Sequence, residues 1–195
     1  MKSKEEFKGF SEHDYRPILR DKSIEFLKEL IKTYKPKRIL EIGTFIGYSA
    51  SVMLNADKEC FVCTVEKDEK NAKHAVKNLN EQGFVGRFEV VHADAMDFLV
   101  AHQDEEFDFV FLDGPKGQYI RYLPFLKKML SKGGVLLADD ILFYGLVRSQ
   151  EKIEHKHRAL VNNLRKFIEA IENDSQLDTT IYDFANGMSK SIKKD

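Results

Sequence analysis

The 195-residue chain carries 43% hydrophobic and 32% charged residues, with 31 Lys and Arg against 32 Asp and Glu, for a formal net charge of −1. Such a balance suits a globular protein with a sizeable core and excludes a strongly basic nucleic-acid binder as the default, though not a local basic patch. The opening MKSKEEFKGF is charged with no apolar signal core, and apolar runs such as 135–138 are far too short to span a bilayer, so the expectation is one cytoplasmic domain over 1–195 with an arm at 1–21.

The arm is polar and aromatic, with Pro17 inside it. From Asp21 the spacing of Ile24, Leu27, Leu30 and Ile31 predicts a helix, with Asp21 as N-cap and Pro36 as its stop. RILEIG (38–43) predicts a strand running into glycine, and a helix follows over about 47–55. CFVCTVE (60–66) predicts a second strand, and 69–82 an amphipathic helix closed by Gly83. Cys60 and Cys63 form C-x-x-C, but on a strand positions i and i+3 face opposite sides. No further zinc ligands accompany them, so they read as reduced structural cysteines. RFEVVHA (87–93) predicts a third strand, 96–102 a short helix, FDFVFLD (107–113) a fourth strand, and about 118–130 another helix. GGVLLAD (133–139) predicts a fifth strand and about 155–172 a long helix. Two β-like runs, 179–185 and 188–193, flank Asn186-Gly187, a strong hairpin signal.

Strand and helix alternate five times before the hairpin. The pattern predicts an α/β, Rossmann-like doubly wound sheet of about seven strands, mostly parallel with a C-terminal antiparallel hairpin. Ligands in such sheets bind beyond the carboxyl ends of the strands. Those ends hold Glu41, Glu66, Asp94, Asp113, Asp139 and Asp140. An acidic bias of this kind suits a cofactor with hydroxyls and an amino group, together with a cation.

Strand one ends in EIGTFIGYS (41–49), where Gly43 and Gly47 bracket the turn into a helix. Glycine permits φ > 0 and close approach of a ligand. The spacing lacks the third glycine of a dinucleotide fingerprint, which argues against an NAD-dependent oxidoreductase. Glu66 ends strand two, where an acidic residue takes ribose hydroxyls in nucleotide folds.

EIGTFIGYS, VEKD (65–68), FDFVFLDGPKGQY (107–119) and ADDILFYGLV (138–147), in that order, resemble the metal-dependent class I O-methyltransferases of the catechol and caffeoyl-CoA type. The resemblance implies a methyltransferase using S-adenosylmethionine (SAM). By it, Glu41, Gly43, Ser49 and the backbone of Phe45 line the methionine part, and Glu66 takes the ribose. Asp94 and Ala95 lie by the adenine, while Asp113 faces the SAM amino group and a metal. Lys116 is, by the same resemblance, the general base near the acceptor hydroxyl, with the depressed pKa of a lysine near cations. A SAM-binding protein without catalysis is the alternative of another class, and the presence of Asp113, Lys116 and Asp139 argues against it.

Asp113, Asp139 and Asp140 are expected together at the ends of strands four and five. Crowded carboxylates repel one another unless a cation is present, and hard oxygen ligands suit Mg²⁺ first, then Mn²⁺ or Ca²⁺. The plainer reading is polar strand ends with Asp140 as a helix cap. The family has Asp-Asn where this chain has Asp139-Asp140.

KGQY (116–119), LFYGLV (142–147) and the tail 157–191 resemble most the bacterial transfer-RNA 5-hydroxyuridine methyltransferases, which make 5-methoxyuridine. That resemblance implies a tRNA acceptor, with a small catechol-like molecule as the alternative and a homodimer as an assembly the family allows. Lys152, Lys156, His157, Arg158, Arg165 and Lys166 are candidates for phosphate contact, interleaved with Glu151 and Glu154. Tyr119, Phe143 and Tyr144 are candidates either to stack on a planar acceptor or to fill the core. Tyr15, Arg16 and Arg20 are candidates to line the acceptor cleft, or else plain surface residues of the arm.

Overall fold

The structure, a computed structural model, describes residues 6, 7 and 20–194. Tyr15 and Arg16 lie outside the described residues, while Arg20 is exposed at the start of the first helix. The chain forms two compact units, Met1–Phe98 and Leu99–Asp195. Of its seven strands, mostly parallel, the first unit holds β3 (Phe88–His92), β2 (Phe61–Glu66) and β1 (Arg38–Ile42) in that order, and the second β4 (Phe107–Leu112), β5 (Leu130–Ala138), β7 (Met188–Lys193) and β6 (Leu177–Tyr182).

In the first unit α1 (Asp21–Tyr34) buries Ile24, Leu27, Leu30 and Ile31 along one face, as the spacing required. Asp21 is not its N-cap. Arg20 holds that position in extended geometry, and Asp21 stands in the first turn, where its charge faces the positive end of the helix dipole. Lys35, left-handed at φ 46°, ends the helix just before Pro36. β1 (Arg38–Ile42), β2 (Phe61–Glu66) and β3 (Phe88–His92) pair in parallel, with Glu41 opposite Thr64 and Glu66 opposite His92. Between them run α2 (Tyr48–Ala56) and α3 (Glu69–Glu81); α4 (Ala95–Ala101) follows β3. Asp68 caps α3 by accepting from the Asn71 amide, and Asp57 ends α2. Cys60 and Cys63 are both free and buried. The Arg87 guanidinium donates to the carbonyls of Leu54, Asp57 and Cys60, closing the C-terminal end of α2.

In the second unit β4 (Phe107–Leu112) pairs in parallel with β5 (Leu130–Ala138). β5 begins three residues before the expected Gly133, because Leu130 pairs with Phe107 across an irregularity in register. A single 3-10 turn, Lys116–Gln118, leads into α5 (Tyr119–Met129). α6 (His155–Glu172) buries Val161, Leu164, Phe167 and Ile171. β6 (Leu177–Tyr182) and β7 (Met188–Lys193) are antiparallel, and β7 lies against β5. Their connection is longer than a two-residue turn, since β6 stops at Tyr182 and pairing closes at Tyr182–Met188. Ala185, Asn186 and Gly187 all take positive φ there. Gly187 is compulsory: a Cβ on it would lie 2.2 Å from Cγ of Leu142. The same turn accepts the amides of Ile141 and Leu142 on the carbonyls of Gly187 and Asn186, and so pins the loop that follows β5.

Candidate active site

The first unit carries the cofactor candidates. The register that sets Glu41 beside Thr64 lets the Thr64 hydroxyl donate to Oε2 of the fully buried Glu41 at 2.5 Å. The Thr44 hydroxyl lies 2.6 Å from that of Thr64. Because Thr64 has spent its proton on Glu41, Thr44 is the donor of that second bond. Thr64 was not legible as a site residue from sequence, because a strand threonine carries no motif of its own.

The turn after β1 is held in an unusual backbone, with Gly43 at φ 101°, Phe45 at 49° and Gly47 at 83°. The Phe45 amide donates to Oε2 of Glu66 at 2.7 Å, and the Asp68 amide to Oε1 at 2.8 Å. Glu66 therefore ties the glycine turn to the end of β2, and each oxygen keeps a lone pair for a further donor. Gly47 serves packing: a Cβ there would meet Cα and Cβ of Ala75 on α3, both at 3.2 Å. Ser49 is buried in the first turn of α2. Asp94 accepts from the Met96 amide and from Lys67 Nζ, both at 2.9 Å, and Ala95 opens α4 beside it. The Lys67 hydrogen bond, with the Met96 amide, holds the Asp94 carboxyl below its ordinary pKa.

The second unit carries the chemistry candidates. Parallel pairing sets Leu112 opposite Ala138, so Asp113 and Asp139 leave the ends of neighbouring strands together. The Asp139 amide donates to the Leu112 carbonyl at 3.1 Å. Asp140 follows at φ 57°, a left-handed conformation that Asp and Asn tolerate better than most residues. Lys116 Nζ lies 2.8 Å from Oδ1 of Asp113 and 3.7 Å from Oδ2 of Asp140, all three side chains 14% exposed. Asp113, Lys116 and Asp140 thus lie together, and Asp139 leaves the neighbouring strand beside Asp113.

Burial alone would lower the Lys116 pKa, but the neighbouring Tyr119 hydroxyl and the Asp113 and Asp140 carboxylates outweigh burial and raise it well above the usual lysine value. The expected depression assumed neighbouring cations, and the charged neighbours are carboxylates. Burial, then the Asp113 and Asp140 carboxylates, push Asp139 up to about 8. Among the described residues no group of three or more His, Cys, Asp or Glu side chains is arranged to hold a metal ion. An ammonium bridges Asp113 and Asp140 instead. Asp113, Asp139 and Asp140 are oxygen donors of the type that hard divalent cations take, but in this structure Lys116 is the counter-charge of Asp113 and Asp140.

Of the three aromatic candidates, Tyr119 belongs to the core. It is fully buried, its hydroxyl donates toward the carbonyls of Leu112 (3.0 Å) and Asp139 (3.3 Å), and its ring meets Phe167 edge-on. Tyr144 is 70% exposed, set edge-to-face against Phe143, which is itself edge-to-face with His157. Phe143 and Tyr144 have φ of 40° and 55°, a strained pair for bulky residues. Arg165 has a structural partner set. Its guanidinium is spent on the carbonyls of Val147, Ser149 and Leu146, clamping the loop after β5 to α6. Lys152, Lys156, Arg158 and Lys166 are exposed, and the first three border a cavity of about 550 Å³ at the start of α6, beside Glu154.

The O-methyltransferase family profile matches residues 8–194. A catechol O-methyltransferase of Niastella koreensis is 28% identical over 87% of this chain and 79% of its own. A caffeoyl-CoA O-methyltransferase of Populus kitakamiensis is 26% identical over 84% and 73%. The solved O-methyltransferase of Bacillus cereus, in complex with SAH, superposes with a TM-score of 0.82 at 26% identity, covering 91% of this chain and 83% of that one. With the profile spanning nearly the whole sequence, the chain belongs to this family of SAM-dependent O-methyltransferases.

Proposed function

We propose that the chain acts in the cytoplasm, as one methyltransferase domain, transferring the SAM methyl group to a hydroxyl oxygen on a planar ring that carries a second oxygen alongside. The observation that carries this reading is the grouping of Asp113, Lys116, Asp139 and Asp140 at the ends of two adjacent parallel strands, just before the exposed Tyr144. Glu41, Gly43, Phe45, Ser49, Glu66, Asp94 and Ala95 are the cofactor residues in this reading, with Asp113 toward the SAM amino group. Glu66 fits the ribose, since both its oxygens are fixed by amides and each can still accept a hydroxyl.

A divalent cation held by Asp113, Asp139 and Asp140 would lend Lewis acidity to the acceptor oxygen and would replace the ammonium as counter-charge, lowering the Lys116 pKa. In its neutral form Lys116 Nζ accepts the hydroxyl proton. The oxygen's electron pair forms the new O–C bond. The C–S bond breaks with its pair going to sulfur, and the sulfonium becomes the neutral thioether of SAH. Much of the acceleration is assigned to holding oxygen and methyl at attack distance.

The favoured acceptor is 5-hydroxyuridine in tRNA, whose O5 and O4 are the adjacent oxygens. The exposed Lys152, Lys156, Arg158 and Lys166 support it as phosphate contacts. A free catechol-like molecule is the second reading, favoured by relatives named for catechol and caffeoyl-CoA. A homodimer is the assembly to test by sedimentation. The deciding experiment is nucleoside analysis of tRNA from a deletion strain: loss of 5-methoxyuridine is expected, and an unchanged profile sends the acceptor to the catechol class.

A further inference from the structure

We propose that Asn163 of α6 is a positioning residue for Lys116, acting through the backbone of Gly117. This rests on the reading of Lys116 as the group that handles the acceptor proton.

Lys116 sits in a turn with little strength of its own. Lys116–Gln118 is one 3-10 turn, a geometry with poor hydrogen bonds that is stable only in short pieces. It has two internal bonds, Gln118 amide to Pro115 carbonyl and Tyr119 amide to Lys116 carbonyl, and no side-chain cap. Its middle residue is Gly117, the residue with the most backbone freedom to lose. Gly117 has no steric need to be glycine: a Cβ there would meet nothing within 4 Å. A turn so built needs an external tether to hold its lysine.

Asn163 supplies one. Its Nδ2 donates to the Gly117 carbonyl at 2.8 Å, across 46 residues of sequence. The helix that carries it is fixed within the next turn beyond that contact. Phe167, one turn further on, packs edge-on to Tyr119 at 5.5 Å, and Tyr119 is bound to the ends of β4 and β5. Arg165 holds the carbonyls of Leu146, Val147 and Ser149. A single chain of contacts therefore runs from the Leu112 and Asp139 carbonyls, through Tyr119 and Phe167, to Asn163 and the residue next to Lys116. Small displacements of a reacting group are costly, on the order of a hundredfold in rate for 1 Å, so the tether bears on turnover rather than on stability alone.

The test uses Asn163→Leu, which keeps volume and loses the donor, and Asn163→Asp, which keeps shape and cannot donate. Asn163→Gln, which retains a donor, serves as the rescue. Peptide-resolved hydrogen exchange over 113–119 is expected to quicken about tenfold in the first two, with melting temperature and SAM affinity kept. Turnover is expected to fall roughly ten- to a hundredfold with the acceptor KM little changed, and Asn163→Gln to recover part of it. In a Lys116→Ala background, Asn163→Leu should cost nothing further. Unchanged exchange over 113–119, or a full additional loss of turnover in the Lys116→Ala background, overturns the proposal. Should Lys116→Ala itself turn over normally, it is the assignment of Lys116 that fails, and the exchange measurement still decides whether Asn163 holds the turn. If the leucine variant melts early, Asn163→Asp carries the same comparison.

Discussion

Lys116 is the internal counter-charge of the acidic cluster, paired with Asp113 and approached by Asp140. Replacing it by methionine keeps the buried stem and deletes the charge. Asp113 and Asp140 are then left without their counter-charge, and like charges in a largely buried site destabilise the fold. Lys116→Met is therefore expected to gain more melting temperature from added Mg²⁺ than the parent does, and to lose turnover by about 10²- to 10⁴-fold. Parallel melts with Mg²⁺ and with EDTA check the first, and SAH release the second. An equal Mg²⁺ response in both proteins would separate Lys116 from any cation bound at these carboxylates. Asp140 bears on the same balance. The resemblance read in the sequence implies Asn there, and the left-handed backbone at φ 57° is one that Asp and Asn tolerate alike. The geometry permits the substitution, and its consequence is one more negative charge beside Lys116.

The segments joining the elements are where sequence and structure part. The strands were legible because buried parallel strands read as short apolar runs closed by turn residues, as RILEIG, CFVCTVE and FDFVFLD do. The acid at each strand end was legible for the same reason, since the strand length fixes where the chain leaves the sheet. Less legible were Thr64, Asn163 and Arg165, polar residues whose partners lie 16 to 46 residues away and which belong to no motif. The hairpin was legible as a hairpin but not in its length, because Asn186-Gly187 answers to the loop after β5 as well as to its own strands. Gly187→Ala tests that double duty. Its φ of 86° costs about 1 kcal/mol for a Cβ, and the clash with Leu142 adds overpacking of about 1–3 kcal/mol. Gly83→Ala is the control, with φ 82° and nothing within 4 Å of the added atom. The first is expected to lower the melting temperature by roughly 5–15 °C and the second by only about 2–4 °C. Equal losses would mean that Leu142 yields and that the turn does not pin the loop.

At the scale of the whole molecule the charges nearly cancel, 31 basic against 32 acidic residues, so no long-range field selects among ligands and discrimination falls to the site. The turn after β1 provides two glycines and the Glu66 carboxylate, but not the three glycines that a pyrophosphate bridge demands. SAM and SAH carry no phosphate, whereas NAD carries a pyrophosphate that would meet the buried Glu41 and the Glu66 carboxylate at close range. Binding to the folded state alone stabilises by RT ln(1 + [L]/Kd), about 2.7 kcal/mol when ligand is at a hundred times Kd. In a chain of this length each kcal/mol moves the melting temperature by about 2–4 °C. SAH at that excess is therefore expected to raise it by roughly 5–11 °C, and NAD at the same concentration to leave it where it was. Glu66→Ala should remove most of the SAH response, because the Phe45 and Asp68 amides lose their acceptor and, on the proposed reading, so does the ribose. A melting curve that moves with NAD and stays still with SAH would reverse the assignment of the glycine turn, and with it the placing of Glu66 at the ribose.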